Sequence, residues 1–282
     1  MSLTSAPRAC VAAGLAGGAT LYGDAVLNHV RKGRGEPLVL VHGIGSQWQM
    51  WLPVLDRVAA ERDVVALDLP GFGSSAGLEG EPTVAALAAA VSDFAASLGM
   101  ERPHVAGNSL GGAIALELAR TGRARSATGL SPIGFVAGRE RPYLGAVLRG
   151  SVVLARVLGG ALDAPQRTAV GRALTMSHLV GRPWRMPAEE AIRSTHNLAD
   201  SPGFDATLPH VVAFDWTHGD VDVPVTIGWG SRDMLLVPRQ ARRARRRMPR
   251  ARHVWLRGCG HVPAWDDPEQ VAAVLLAGSR DT

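Results

Sequence analysis

The chain has 282 residues, 46% of them hydrophobic and 20% charged, with a formal charge of +5. That length and apolar content suffice for one large core, or a core plus a smaller insert, and argue against a disordered chain. The basic excess raises nucleic acid as a partner, but Lys32 is the only lysine, and phosphate loop, dinucleotide fingerprint and aromatic interleaving are all missing, so nucleic acid is not expected.

Cys10 and Cys259 make no disulfide framework and fit a reducing compartment, so the expected location is cytoplasmic, with secretion as the alternative. The stretch from Cys10 to Leu21 is apolar and follows Arg8, but Gly14, Gly17 and Gly18 interrupt it. It reads as a loose N-terminal arm rather than a cleaved signal. No uninterrupted apolar run approaches the roughly 20 residues of a membrane span.

In chain order, Ala25 to Arg31 reads as an early strand ending in the polar turn Lys32-Gly33-Arg34-Gly35. Pro37 opens Leu38-Val39-Leu40-Val41, apolar at every position, which suits a strand buried on both faces. A helix is expected from about Trp48 to Ala60, then a strand at Val64-Val65-Ala66-Leu67 ending on Asp68. Thr83 to Leu98 has helical spacing, with Val84, Leu87, Val91 and Phe94 on one side, and Gly99 stops it. His104-Val105-Ala106 leads through a Gly-rich turn into a helix from about Gly111 to Arg120, and Ala127 to Leu130 is another strand.

The alternation then breaks. Residues 132–217 hold helical patterns, one with Leu144, Val147, Leu148, Val152 and Leu154 on its apolar face, and no convincing buried strand. The rhythm resumes with a strand at Val223 to Ile227, a helix near Arg239 to Arg247, a strand at Val254 to Leu256 and a helix from Pro268 to Leu276. The pattern predicts an α/β fold whose mostly parallel central sheet carries helices on both faces, with core residues 1–131 and 218–282 and a helical insert at 132–217.

Gly107-Asn108-Ser109-Leu110-Gly111 has the form G-x-S-x-G between a strand and a helix. Such a turn strains the backbone at its central residue, and glycines on either side avoid a collision. Ser109 is therefore the expected nucleophile. A hydroxyl needs a base beside it. His261, directly after the last expected strand, fills that role, and Asp233 in Gly230-Ser231-Arg232-Asp233 is the acid expected to orient it. The position after Leu130 offers Ser131-Pro132 and no carboxylate, while Asp220 and Asp222 precede their strand, at its wrong end. The backbone N–H groups of Ile44, in His42-Gly43-Ile44-Gly45, and of Leu110 are the expected oxyanion donors. His42 reads as a buried loop-shaping residue.

These motifs, with Asp68-Leu69-Pro70-Gly71-Phe72-Gly73-Ser74-Ser75, occur in the order and spacing of the α/β-hydrolase superfamily, and the chain resembles it nearly throughout outside the insert. The resemblance implies an α/β-hydrolase fold of the serine-nucleophile, esterase- or lipase-like branch, with a helical cap between the sixth and seventh core strands. It implies hydrolysis of a carboxylic ester, thioester or lactone by Ser109, Asp233 and His261, without cofactor or metal. Relatives that open epoxides or displace halide carry Asp at the elbow, where this chain has Ser109, and Tyr143 is the only tyrosine in the insert. Carbon–carbon hydrolases carry a longer Gly-rich loop where Ser46-Gln47-Trp48 stands here. A carbon–carbon hydrolase, lyase or cyclase using the same triad, or a binding protein without turnover, is the alternative. The expected partner is a small molecule with an apolar acyl or alcohol part. Arg239 to Arg252 reads as a solvent-facing basic segment, and His178, His196, His210 and His218 as structural or surface residues without metal-ligand spacing.

Overall fold

The structure is a computed structural model that describes residues 17–22 and 25–280. Among the described residues eight strands form one sheet, in the order β1-β2-β4-β3-β5-β6-β7-β8. They are β1 (Gly17–Tyr22), β2 (Ala25–Lys32), β3 (Glu36–Val41), β4 (Arg62–Leu67), β5 (His104–Asn108), β6 (Ser126–Leu130), β7 (Val225–Gly230) and β8 (Arg252–Leu256). All neighbours from β4 to β8 are parallel, while β1 and β2 pair antiparallel. This is the mostly parallel sheet expected from the alternation.

Strand β3 is apolar from Leu38 to Val41 because that part serves two cores. Val39 and Val41, with Val65 and Leu67 of β4, enter one cluster with helices α2 (Val84–Ser97) and α3 (Leu110–Arg120). Leu38 and Leu40, with Val64 and Ala66, enter the other with α1 (Leu52–Ala59) and the closing Pro268–Gly278 helix. The period of two in a pleated strand sends alternate residues to opposite faces. Thr83 caps α2 by accepting the Ala86 N–H at 3.1 Å.

Several boundaries differ from expectation. Part of the expected loose arm is strand β1, paired from Gly17 opposite Val30 to Tyr22 opposite Ala25. Its glycines hide the alternation that marks a strand, and it covers the otherwise open edge of β2. Cys10 and most of the stretch weighed as a signal lie outside the described residues. The helix expected at Trp48 to Ala60 opens with a 3₁₀ turn, Trp48–Trp51, ahead of α1. Strand β7 begins two residues later than expected and runs on to Gly230, because β6 and β8 pair with its two glycines.

Between β6 and β7 the chain forms α4 (Glu140–Leu158), α5 (Asp163–Gln166), α6 (Ala169–Met176), α7 (Ala188–Ala199) and α8 (Phe204–Ala213). Leu144, Leu148, Val152 and Ala155 of α4 are buried, and the helix packs on α7 and α8. Leu154, expected on that face, is 49% exposed, since the stripe 144-148-152-155 follows the 3.6-residue period and leaves 154 outside it. By length and composition, Glu140–Gln166 could cross a membrane; counting uninterrupted apolar residues missed it because Arg149 and Arg156 interrupt it. Here it is part of the folded insert.

Helix α9 (Pro238–Arg247) is only half solvent-facing. Arg239, Arg243 and Arg247 lie four residues apart and share one face. Arg239 and Arg243 hold the buried Glu140 at the start of α4, and Arg243 also donates to Phe135 O. Arg247 donates to Asp215 Oδ1 at 2.7 Å and to Trp216 O at 2.8 Å. Both crossings into the insert are thereby tied to the core. Arg242, Arg245 and Arg246 face solvent. Burial alone would raise the Glu140 pKa, but hydrogen bonds from Arg243, the Ala137 N–H and Arg239 outweigh it and hold the carboxylate below its usual value.

Candidate active site

The candidate side chains stand at the carboxyl ends of β3, β5, β7 and β8, where loops of a parallel sheet converge. Ser109 follows β5 at φ 57° and ψ −114°, a conformation rare for a residue with a side chain. The strain is held by packing that excludes side chains around it. A Cβ on Gly107 would lie 2.2 Å from the Gly111 carbonyl, and one on Gly111 would lie 2.1 Å from Val41 O. Both glycines are thus required for α3 to start against the end of β3. Ser109 N–H donates to Leu130 O at 2.9 Å, and Ser109 O accepts the Ile133 N–H at 3.2 Å. The elbow is locked to the adjoining strand end.

His261 and Asp233 are both buried, 3% and 2% exposed. His261 Nδ1 lies 2.9 Å from Asp233 Oδ2. Asp233 Oδ1 accepts the N–H groups of Leu235 at 3.0 Å and Leu236 at 2.8 Å, so the carboxylate cannot rotate away. Its acceptor-only oxygens require the proton on Nδ1, which leaves Nε2 with a lone pair. Sequence reasoning passed over Asn108. Its Nδ2 donates to His261 O at 2.8 Å and to Leu130 O at 3.0 Å, joining the histidine loop to the elbow. A polar residue beside Ser109 in a fully buried strand was the available signal.

The loop after β3 is shaped by His42 and Asp68. Leu69 N–H donates to His42 Nε2 at 2.8 Å, so Nδ1 carries the proton and donates to Gly43 O at 2.7 Å. Burial lowers the His42 pKa more than Asp68 and the Gly43 bond raise it, keeping the ring neutral. Asp68 accepts the N–H groups of Trp48 at 2.8 Å and Ser74 at 3.0 Å, and the Asn28 amide at 2.8 Å. A Cβ on Gly73 would meet its carboxylate at 2.1 Å, which accounts for Gly73 in that motif. Ser46 N–H closes the turn onto Gly43 O at 3.2 Å, with Gly45 at φ 70°. Leu110 is the first residue of α3, where N–H groups have no partner within the helix.

Ser109, His261 and Ile44 line one cavity of about 840 Å³, its open mouth included. Its other walls are mainly apolar, among them Met50 and Leu235 from the core and Leu148, Met176, Met186 and Leu198 from the insert. Among the described residues no cluster of three or more His, Cys, Asp or Glu could hold a metal. Burial first, then the charges of Asp266 and Asp267, push the Cys259 thiol up to about 12, so it stays a protonated packing group.

Two further residues join the insert to this site. Asp266 accepts the N–H of Gly260 at 2.7 Å beside the histidine, and those of Gly181 at 2.9 Å and Arg182 at 2.6 Å in the insert. His178, read from the sequence as a structural or surface residue, also lines the cavity. Its Nε2 lies 3.2 Å from Ser151 Oγ, which itself donates to Val147 O, so the ring donates there and Nδ1 keeps its lone pair. Burial, then the charge of His261, lower its pKa.

Comparison with known proteins agrees with this architecture. The profile of the alpha/beta hydrolase family matches residues 38–274. A dihydrolipoyllysine-residue acetyltransferase component of the acetoin cleaving system from Pseudomonas putida is 29% identical over 262 residues, 87% of this chain and 64% of the relative. This chain thus spans less than two thirds of that relative's length. An uncharacterized protein of Mycobacterium tuberculosis is 30% identical over 266 residues, 86% of this chain and 75% of its own. A solved structure described as a membrane phospholipase A and bacterial virulence factor superposes with a TM-score of 0.77 at 25% identity, over 95% of this chain and 88% of its own.

Proposed function

Because the chain belongs to the alpha/beta hydrolase family and is a hydrolase of that type, we propose that it cleaves a carboxylic ester, thioester or lactone through an acyl-enzyme on Ser109. The observation that carries the reading is the 2.9 Å contact of His261 Nδ1 with Asp233, which leaves Nε2 as a base in the cavity onto which the strained Ser109 opens. Ser109 Oγ attacks the carbonyl carbon and passes its proton to His261 Nε2, while Asp233 stabilises the resulting imidazolium. The N–H groups of Leu110 and Ile44 hold the oxyanion. His261 then protonates the departing oxygen or sulfur. In the second half, water attacks the acyl carbonyl, gives its proton to Nε2, and Ser109 recovers its own as the acid leaves.

Residues 132–217 act in this reading as a cap, since insert side chains form much of the cavity wall. The apolar lining favours a hydrophobic acyl or alcohol part. A fluorophosphonate probe is expected to label Ser109, p-nitrophenyl esters of short acids to be hydrolysed, and Ser109→Ala to abolish both. Labelling without turnover of any ester, thioester or lactone would transfer the triad to another reaction. Failure of well-folded protein to label would leave a binding protein.

A further inference from the structure

The insert turns an apolar face away from the core. In α4 Val153, Leu154, Val157 and Leu158 are exposed, Val157 at 75%, and in α6 Val170 and Leu174 at 70% and 81%. Within each helix these positions repeat at three or four residues, so each set forms a stripe. Only 22% of the most apolar window between Glu140 and Gln166 is buried. A group of such side chains of this extent marks an interaction surface rather than scattered exposure.

The charge of the segment that carries the stripes is one-sided along the sequence. From Arg141 to Arg185 the chain carries seven arginines against one acid, Asp163. Arg149, Arg156, Arg167 and Arg185 are exposed, two of them in solvent-facing pairs, Arg156 with Asp205 and Arg167 with Glu189. A second copy docking through a two-fold axis would bring two such basic sets together, which charge repulsion opposes. A surface that is both apolar and negatively charged would satisfy the stripes and the arginines at once.

The stripes also adjoin the interior. Leu154 and Thr175, the neighbour of Leu174, line a second cavity with Leu162. Ser151, Met176, His178, Leu179, Ser194 and Leu198 line both this cavity and the one that holds Ser109, and so stand between the exposed face and the candidate active site.

We propose that the α4–α6 face of the insert is a docking surface for a lipid bilayer carrying anionic headgroups, with the aliphatic stripes in the acyl boundary and the arginines at the phosphates. The proposal concerns the surface and stands whether or not Ser109 cleaves esters. Its test is flotation of the full chain with vesicles of phosphatidylcholine alone or mixed with phosphatidylglycerol, beside Val157→Asp/Leu174→Asp. Neither residue lines the cavity at Ser109. The parent is expected to bind the mixed vesicles roughly tenfold tighter than the neutral ones, less tightly as salt rises, and the double variant to lose roughly nine tenths of that binding with an unchanged thermal melt. Equal binding by parent and variant, or no binding of the parent at low salt, overturns the proposal. A parent that is dimeric, becomes monomeric in the variant and binds no vesicle assigns the face to a second copy and overturns it too.

Discussion

Asp233→Asn tests the proposed orienting role of the carboxylate. In the parent, Oδ1 accepts two buried N–H groups, from Leu235 and Leu236, and Oδ2 faces His261 Nδ1. An amide has one oxygen and one NH₂. If the NH₂ faced Leu235 and Leu236, two buried donors would lose their acceptor, at about 1–3 kcal/mol each. The oxygen therefore stays with the backbone, and the NH₂ points at Nδ1. The ring must then accept at Nδ1 and carry its proton on Nε2, where it has no lone pair for the Ser109 proton. Turnover of p-nitrophenyl butyrate is expected to fall by about 10⁴, equivalent to about 5 kcal/mol in the barrier, and fluorophosphonate labelling to slow in parallel. The backbone bonds survive, so stability should change by only about 1 kcal/mol, a melting shift of about 2–4 °C. A kcat/KM within tenfold of the parent, or a rate loss explained by unfolding, would refute the tautomer argument.

Three further substitutions probe the scaffold around this pair. Asn108→Ala removes the amide that joins the two loops; Leu130 O keeps the Ser109 N–H, while His261 O loses the Asn108 donor. The expected result is about 1–3 kcal/mol less stability with kcat falling more than KM rises, and a stability loss with unchanged kcat would reduce Asn108 to a packing role. Asp266→Asn keeps one oxygen for the Gly181 and Gly260 N–H groups that share Oδ2 and turns an NH₂ toward the Arg182 N–H on Oδ1, so amide exchange at Arg182 is expected to quicken at least about tenfold from a loss of about 1–3 kcal/mol; unchanged protection would contradict the clasp. Glu140→Gln is expected to cost about 2 kcal/mol at pH 7. Because the folded-state pKa of Glu140 is lowered, its carboxylate contribution is complete above the ordinary carboxylate pKa and disappears as pH falls through the folded value. Urea melts of parent and variant should therefore converge on acidification, and a gap independent of pH would mean that charge plays no part.

What could be read from the primary structure follows from local rules. Leu38 to Val41 is apolar at every position because both faces of β3 are covered, so it shows as a buried strand without any knowledge of its neighbours. Gly107 and Gly111 are visible because each must admit backbone within bonding distance of where a Cβ would stand. Contacts between remote segments left weaker traces. Strand β1 shows only as a backbone ladder against β2, which its glycines do not advertise. The arginines of α9 look like a solvated run until Glu140, 103 positions from Arg243, and Asp215, 32 positions from Arg247, are brought to one face of the helix. Asn108, Asp266 and His178 are ordinary polar residues in sequence, and only folding sets the first against the histidine loop, the second across three amides and the third in the cavity wall. The alternation of apolar residues and the turn glycines report each segment's own backbone and burial, so the chain alone determined its layers and its elbow. Which polar atoms meet depends on three-dimensional distance between segments far apart along the chain, and that only the tertiary structure decided.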